Sequence, residues 1–351
     1  MCASLLFLTF SCQKEFDPRD KYKDITIVYG LINPLETTHY IRIGKAFLTS
    51  GSIVEIAQNP DSSNFPVEDI DVRIYEITPN GTSAQLIVGD TIFYNKDTGV
   101  FYASEQRLYY FKKKFDVQHL ENTIKIEIEH KKTGKIVYAE TPLVNNFKVM
   151  SPMPEQPFDF SLYNSTRLFR WNNAKNGRIY DFYYTMYYRE GRNIDPFGVW
   201  EIDSMTWHVG TYSASKTGNE KEQIETFQFN SAAFYVQVQK DVAYDTSLWR
   251  APYQKAKITF WCGGEDLYYY HNINDYQDLP PDAPEYTNLK TKIYSEELGD
   301  YIELENEAFG IFSSRIVQSD NILLSDNMVR NYLPNTTYVN RQFKPVPIIE
   351  D

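Results

Sequence analysis

Short runs with an apolar residue at every second position recur along this chain and constrain its fold more than any other feature. In the clearest run, Ile124, Ile126 and Ile128 alternate with charged residues. Successive side chains of a β-strand point to opposite faces, so this pattern predicts a strand with one buried face. A Thr-Gly turn at 133–134 predicts that the chain then folds back into a second strand. The sequence therefore predicts a mainly β protein.

The alternating runs predict two domains. About seven short strands between residues 24 and 148, separated by turn residues, are typical of an antiparallel Ig-like or transthyretin-like β-sandwich. A Pro-rich linker is expected at 149–158. From 159 to 332 we expect a second β domain, because a strand that ends in Trp171, a polar turn and an aromatic strand resemble the opening of a fibronectin-III-like sandwich.

Three further features are expected in the second half of the chain. Spacings of three and four between apolar residues predict short helices at 231–244 and 265–273. In the predicted closing strand, Gly310 indicates a bulge or a close approach of another backbone. The proline-containing tail at 333–351 is expected to be irregular.

The N-terminus has the pattern of an export signal. Residues 3–11 form an apolar run that ends in Ser11, directly before Cys12. A signal peptide at 1–11 followed by cysteine resembles the lipobox of bacterial lipoproteins, which implies that Cys12 carries the lipid. No Lys or Arg precedes the run, so we expect the natural start codon to lie upstream of Met1. The alternative is that residues 3–11 form an ordinary first strand.

The residues that follow Cys12 indicate a flexible tether and a localisation signal. Residues 12–23 are mostly polar or charged, as in a flexible tether. Gln13, Lys14 and Glu15 resemble the signal that sends Bacteroidetes lipoproteins to the outer face of the outer membrane. The alternative is a hydrophilic linker on a protein that faces the periplasm. The predicted location is the outer membrane, lipid-anchored and facing the cell exterior.

Composition excludes some classes of partner. The formal net charge is −12, which argues against nucleic acid and against electrostatic attachment to anionic lipid. Cys262 is the one cysteine in the body of the chain, where an exported disulfide framework would show an even number. We therefore predict a buried thiol at this position.

The sequence contains no catalytic or metal-binding motif that we recognise. The five histidines show no metal-ligand spacing, and neither a nucleophile elbow nor a phosphate-binding Gly loop is present. We predict a protein that is not an enzyme and that has no cofactor and no metal site.

Tyrosine clusters are the candidate binding residues. Tyr and Phe are frequent, with 28 and 22 copies, and aromatic rings with polar tips suit binding surfaces as well as sheet faces. The candidates lie in two clusters: Tyr183, Tyr184, Tyr187 and Tyr188, and Tyr268, Tyr269 and Tyr270. The alternative for the first cluster is a core strand with its hydroxyls at the rim.

Several segments together resemble a family of Bacteroidetes outer-membrane lipoproteins, one of the domain-of-unknown-function families. Besides Cys12, they are 27–32, 71–75, the turn at 133–134, Trp171 with Tyr180 and Tyr183, 268–270 and 309–312. Members are often encoded beside TonB-dependent receptors. The resemblance implies an accessory to nutrient uptake and transfers no catalytic residue.

The expected function is a non-catalytic surface lipoprotein that acts as an accessory or binding component of a TonB-dependent uptake system. Its expected partners are the outer membrane, a TonB-dependent receptor or another outer-membrane protein, and a glycan or peptide ligand. Two alternatives stay open. One is a surface glycan-acting enzyme with a carboxylate pair hidden in the fold. The other is a structural or adhesive surface protein.

Overall fold

Strands dominate the part of the chain that the computed structural model describes, which is residues 25–46, 64–94, 106–116, 121–192, 200–215, 223–274 and 286–344. The predicted mainly β, sandwich-type fold is confirmed. The predicted signal peptide, Cys12 and the export signal Gln13, Lys14 and Glu15 lie outside the described residues.

Eighteen strands are present in these described ranges. In chain order they are β1 (Ile25–Ile32), β2 (Thr38–Ala46), β3 (Ile70–Ile77), β4 (Ser83–Leu86), β5 (Val88–Tyr94), β6 (Gln106–Lys112), β7 (Thr123–His130), β8 (Lys135–Pro142), β9 (Val149–Ser151), β10 (Pro157–Phe158), β11 (Thr166–Asn172), β12 (Ile179–Arg192), β13 (Glu201–Ser213), β14 (Ile224–Asn230), β15 (Leu248–Gly263), β16 (Lys290–Ser295), β17 (Asp300–Leu304) and β18 (Ala308–Leu324).

The helices are few and short. Helix α1 spans Ala232–Asp241 and helix α2 spans Glu265–Asn274, so both predicted helices are confirmed. A 3-10 helix covers Val67–Asp69, and a π-helix covers Met328–Tyr332. Helix α1 lies against the second sandwich with Phe234, Tyr235 and Val238 buried.

The first sandwich pairs one part of a large sheet with a six-stranded sheet. Strands β1, β2, β6 and β5 form its half of the large sheet, and the second sheet has the order β17-β16-β8-β7-β3-β4. The core between them is aliphatic with a few aromatic rings and includes Val28, Ile41 and Phe111. The alternating residues Ile124, Ile126 and Ile128 are all buried there, as their spacing predicts.

The second sandwich has an aromatic core. A three-stranded sheet, β14-β11-β9, packs against β13-β12-β15-β18, so this part of the chain also forms a β-sandwich. Trp171 and Phe169 on β11 pack against Phe182 on β12, with ring centroids 5.0 and 5.3 Å from the Phe182 ring. Strands β11 and β12, which follow each other in sequence, therefore lie in opposite sheets.

Strand β18 connects the two sandwiches. Its residues 308–314 pair with β1 in parallel, and residues 315–323 pair antiparallel with β15 on the other edge. Gly310 makes the close approach that the sequence predicts, with φ +103° opposite Val28. One continuous sheet, β13-β12-β15-β18-β1-β2-β6-β5, thus runs through both sandwiches, and β10 pairs with β18 off this path.

The strand pairing departs from the predicted division of the chain. Strands β16 and β17 and the first half of β18 belong with the first sandwich, although they follow most of the second in sequence. The Pro-rich segment at 149–158 contains β9 and β10, and Val149 and Phe158 are buried in the second core. It is therefore part of the second sandwich, not a separate linker.

The start of the predicted irregular tail is tied to the second sandwich. Residues 333–344 form turns and one isolated bridge, and Val339 and Phe343 are buried. Arg250 on β15 is 2% exposed and fixes this segment. Its Nε donates to Glu190 Oε2 at 2.8 Å and its Nη1 donates to the Arg341 carbonyl at 2.9 Å.

Candidate functional site

Strand β12 separates the first tyrosine cluster into two faces. Tyr184 and Tyr188 point into the second core, with 0% and 3% exposure, so their prediction as surface binding residues is wrong. The Tyr184 ring stands edge-on to Phe160 at 5.2 Å, and Tyr188 Oη donates to Asp203 at 2.8 Å. The physical reason is the strand alternation, which sends every second side chain inward.

The outer face of β12 carries Tyr183 and Tyr187, both half-buried. Across the sheet from Tyr183 lies His208 on β13, with ring centroids 4.9 Å apart. On the other side lies Trp261 on β15, at 5.8 Å. Trp261 is 37% exposed and stands beside Asp181 in the strand register. These rings lie on a face of the sheet that is opposite to the core.

Trp261 was not among the sequence candidates. The signal that identifies it is the alternation of β15, in which Phe260 and Cys262 are buried and Trp261 between them is exposed. Cys262 is the predicted buried thiol, and burial raises its pKa to about 12. The thiol therefore stays protonated and unreactive at neutral pH.

Arg315 on β18 completes this group. Its guanidinium carbon lies 4.7 Å from the centroid of the Trp261 ring, a cation–π arrangement. Burial lowers the pKa of Arg315, and the charge of Glu36 partly opposes that shift. Its Nε atom is buried and makes no hydrogen bond. We call the group formed by Tyr183, His208, Trp261 and Arg315 the Trp261 surface.

Polar side chains surround the Trp261 surface. His208 Nε2 lies 3.0 Å from Asp181 Oδ1, which fixes the imidazole beside Tyr183. Further out, hydroxyl pairs cross the strands at 2.9 Å in two places, between Thr185 and Thr206 and between Thr259 and Ser319. Hydroxyls of this kind both donate and accept hydrogen bonds. The face thus combines aromatic rings, a cation and small hydroxyl groups.

Helix α2 covers one end of the same face. Leu267 packs over Gly263, where an added Cβ would lie 2.5 Å from Leu267 Cδ2 and 3.0 Å from Ile179 Cγ2. Gly263 and Ile179 are the outer-face neighbours of Trp261 and Asp181 along their strands. The side of the sheet that carries the Trp261 surface therefore also carries the second tyrosine cluster.

The tyrosines of α2 differ in their surroundings. Arg178 places its guanidinium carbon 4.4 Å from the Tyr268 ring centroid. Tyr269 is 40% exposed and lies 5.6 Å from the Tyr286 ring, whose hydroxyl donates to Asp266 at 2.7 Å. Tyr270 is half-buried. The structure thus places all three predicted residues at this end of the sheet, with Tyr269 the most open to solvent.

The described part of the chain contains no cluster of three or more His, Cys, Asp or Glu side chains that could hold a metal ion. In the same ranges, no helix is both long enough and apolar enough to cross a membrane.

The comparisons with known proteins assign this chain to no family. No protein-family model matches it, and no curated protein matches it. Among solved structures, a DUF4785 family protein from Legionella pneumophila aligns with 66% of this chain and 51% of its own, at 10% identity and a TM-score of 0.19. CBD12 from CALX1.2 aligns with 85% of this chain and 100% of its own, at 9% identity and a TM-score of 0.17. Likenesses this weak carry no argument about function.

Proposed function

We propose that this protein is a non-catalytic outer-membrane lipoprotein, anchored through Cys12, that binds a ligand at the Trp261 surface as an accessory to a TonB-dependent uptake system. The observation that carries the binding role is the group of Tyr183, Trp261 and Arg315 on the outer face of the sheet. Soluble proteins bury most aromatic surface, and exposed aromatic rings beside polar groups are typical of binding sites.

The strand geometry separates the Trp261 surface from the proposed anchor. The proposed tether precedes β1, where Thr26 pairs with Ala308 at the start of β18. Trp261 pairs with Val317, nine positions further along the same strand. At about 3.3 Å per residue, the Trp261 surface lies roughly 30 Å along β18 from the tether. The point at which the proposed tether joins the fold is therefore well separated from the Trp261 surface.

The binding role is tested with the isolated protein on gels that contain soluble polysaccharides, including amylopectin, xyloglucan, polygalacturonate and chondroitin sulfate. We expect at least one polymer to retard the wild type, and Trp261→Ala to abolish that retardation. Tyr294→Ala is the matched control, since Tyr294 is 53% exposed on β16, in the other sheet. Equal retardation of wild type and Trp261→Ala, or no retardation by any polymer, overturns the binding role.

The anchor and the partner are tested in cells. Cys12→Ala is expected to move the protein from the membrane fraction to the soluble fraction and to abolish acyl labelling. Cross-linking of the wild type on intact cells is expected to recover a TonB-dependent receptor. A Cys12→Ala variant that stays in the membrane contradicts the anchor, and recovery of no outer-membrane receptor contradicts the accessory role.

A surface enzyme and an adhesin are the competing functions. A glycan hydrolase would release reducing sugar from one of the same polymers, which a reducing-end assay measures directly. An adhesin would cause an attachment defect on deletion while growth on polysaccharide stayed normal. Either result would replace the proposed accessory role.

A further inference from the structure

Arg315 and the nearby Arg178 lack the ion-paired carboxylate that Arg250 and Arg73 have. Arg250 is paired with Glu190 at 2.8 Å and Arg73 with Glu129 at 3.0 Å. Among the described residues, no carboxylate lies within ion-pair distance of Arg178 or Arg315. A partly buried cation without a counter-charge is unfavourable, so a protein usually pairs it.

Some guanidinium nitrogens of Arg178 and Arg315 make no hydrogen bond, as is also true of Nε in Arg167 and Arg189. Nε of Arg315 and both Nε and Nη1 of Arg178 are shielded from solvent and make no hydrogen bond. Each guanidinium stacks on an aromatic ring, Arg315 on Trp261 and Arg178 on Tyr268. Stacking orients the flat guanidinium without neutralising it, so the nitrogens that are not shielded can donate to an anion.

The two arginines flank one point of the sheet. The backbone N–H of Arg178 donates to the Gly263 carbonyl at 2.8 Å, and Gly263 is the strand partner of Arg315. Their stacked rings, Tyr268 and Trp261, lie on the two sides of that point along the chain. The backbones of Arg178 and Arg315 are therefore both attached at Gly263, at the end of the Trp261 surface that helix α2 covers.

The rest of the surface favours a sugar as the carrier of the anion. Trp261 and Tyr183 present apolar rings, and Thr259 and Ser319 present hydroxyls close by. The net charge of −12 repels every polyanion, and it repels double-stranded nucleic acid, with its closely spaced phosphates, most strongly. A chain of sugar rings that carries spaced carboxylates matches the aromatic rings, the hydroxyls and the isolated cations.

We infer that the Trp261 surface, together with Arg178, binds an acidic polysaccharide, with a sugar ring against Trp261 and its carboxylate on Arg315. This inference rests on the proposed binding function and names its ligand class. The carboxylate supplies a counter-charge in direct contact, which Arg315 lacks because the charge of Glu36 acts on it without forming an ion pair. A planar carboxylate also accepts two parallel hydrogen bonds from a guanidinium, which a neutral sugar cannot do.

The test is isothermal titration calorimetry with three oligosaccharides of equal length: oligogalacturonate, its methyl ester and a neutral dextran oligomer. We expect the acid to bind and its methyl ester to bind about tenfold more weakly, a difference of about 1.4 kcal/mol. Arg315→Met is expected to lower the affinity for the acid to the affinity for the ester. Raising NaCl from about 50 to about 500 mM is expected to weaken the binding of the acid and to leave the binding of the ester unchanged.

Two controls separate binding from folding. Lys292→Met removes a lysine whose Nζ lies 4.7 Å from the Tyr301 ring on the other sheet, and it is expected to leave binding unchanged. Arg315→Met is expected to keep or raise Tm, since it removes an unpaired, partly buried charge. A large fall in Tm would show that Arg315 has a structural role and would overturn the inference.

The remaining outcomes distinguish the inference from the proposed function. If the ester and the acid bind equally through Trp261 and Arg315→Met has no effect, the acidic ligand class is wrong while the binding function stands. If a sulfated oligosaccharide from chondroitin binds through Arg315 and oligogalacturonate does not, the identification of the recognised anion as a carboxylate is wrong. If no oligosaccharide binds, neither the inference nor the glycan-binding role survives.

Discussion

Gly310→Ala is the substitution that tests how β18 joins the two sandwiches. Gly310 has φ +103°, a conformation that residues with a Cβ rarely adopt. An added Cβ would lie 2.1 Å from the carbonyl oxygen of Val28 and 3.2 Å from its nitrogen. Because both atoms are backbone of the paired strand β1, no side-chain rotation can relieve the overlap.

The expected loss of stability has two causes, the backbone conformation of residue 310 and the overlap with Val28. A non-glycine residue in a sparsely populated backbone region costs on the order of 1–3 kcal/mol. Relief of the overlap requires β1 to move by about 1 Å, which weakens neighbouring ladder hydrogen bonds that each contribute about 1 kcal/mol. We therefore expect a loss of about 3–5 kcal/mol in the free energy of unfolding.

The matched control is Gly299→Ala. Gly299 also has a positive φ, +64°, but no heavy atom lies within 4 Å of its added Cβ. This variant carries the backbone cost alone, about 1 kcal/mol. The assay is urea unfolding together with hydrogen exchange of the β1 amides, and Gly310→Ala alone is expected to speed their exchange. Equal stability of the two variants would refute the close packing of β1 on β18.

Three other variants test the packing. Arg250→Met is expected to destabilise the protein by about 3 kcal/mol, because it leaves the Glu190 carboxylate and a main-chain carbonyl without a donor. In urea melts, the stability losses of Arg250→Met and Glu190→Gln should not add in the double variant, and strict additivity would contradict this ion pair. Tyr184→Ala is expected to cost about 3–5 kcal/mol and Tyr183→Ala less than about 1, and equal losses would contradict their assignment to opposite faces. The pKa of Cys262 is raised to about 12 in the folded protein, so the contribution of its thiol to stability is complete below its ordinary pKa near 9 and declines as pH rises towards 12. Iodoacetamide should label it only after unfolding, and rapid labelling of the native protein would contradict its burial.

Local patterns were predictable where local geometry decides the outcome. The alternation of Ile124, Ile126 and Ile128 predicts a strand with one buried face, and the structure buries all three. The close approach at Gly310 was also predictable, because glycine in a strand marks a place where another backbone comes near. The alternation is a local property, and the glycine indicates that some backbone comes near without indicating that it is that of Val28.

Long-range pairing explains what the sequence did not reveal. The alternation in β12 separates Tyr183 from Tyr184, but which of the two is buried depends on the position of the opposing sheet. Trp261 gains its role only from the register that places it between Asp181 and Val317. Likewise, the return of β16 to pair with β8 follows from contacts far apart in sequence, which a division of the chain by composition misses.

The most direct test of the account is fluorine NMR of the protein labelled with 5-fluorotryptophan. The chain has five tryptophans, and Trp261→Phe identifies the resonance of Trp261. On titration with oligogalacturonate, we expect the Trp261 resonance to shift to saturation while that of the core residue Trp171 stays in place. Arg315→Met should abolish the shift. A Trp261 resonance that does not move while the same oligosaccharide binds by calorimetry would contradict the Trp261 surface as the binding site.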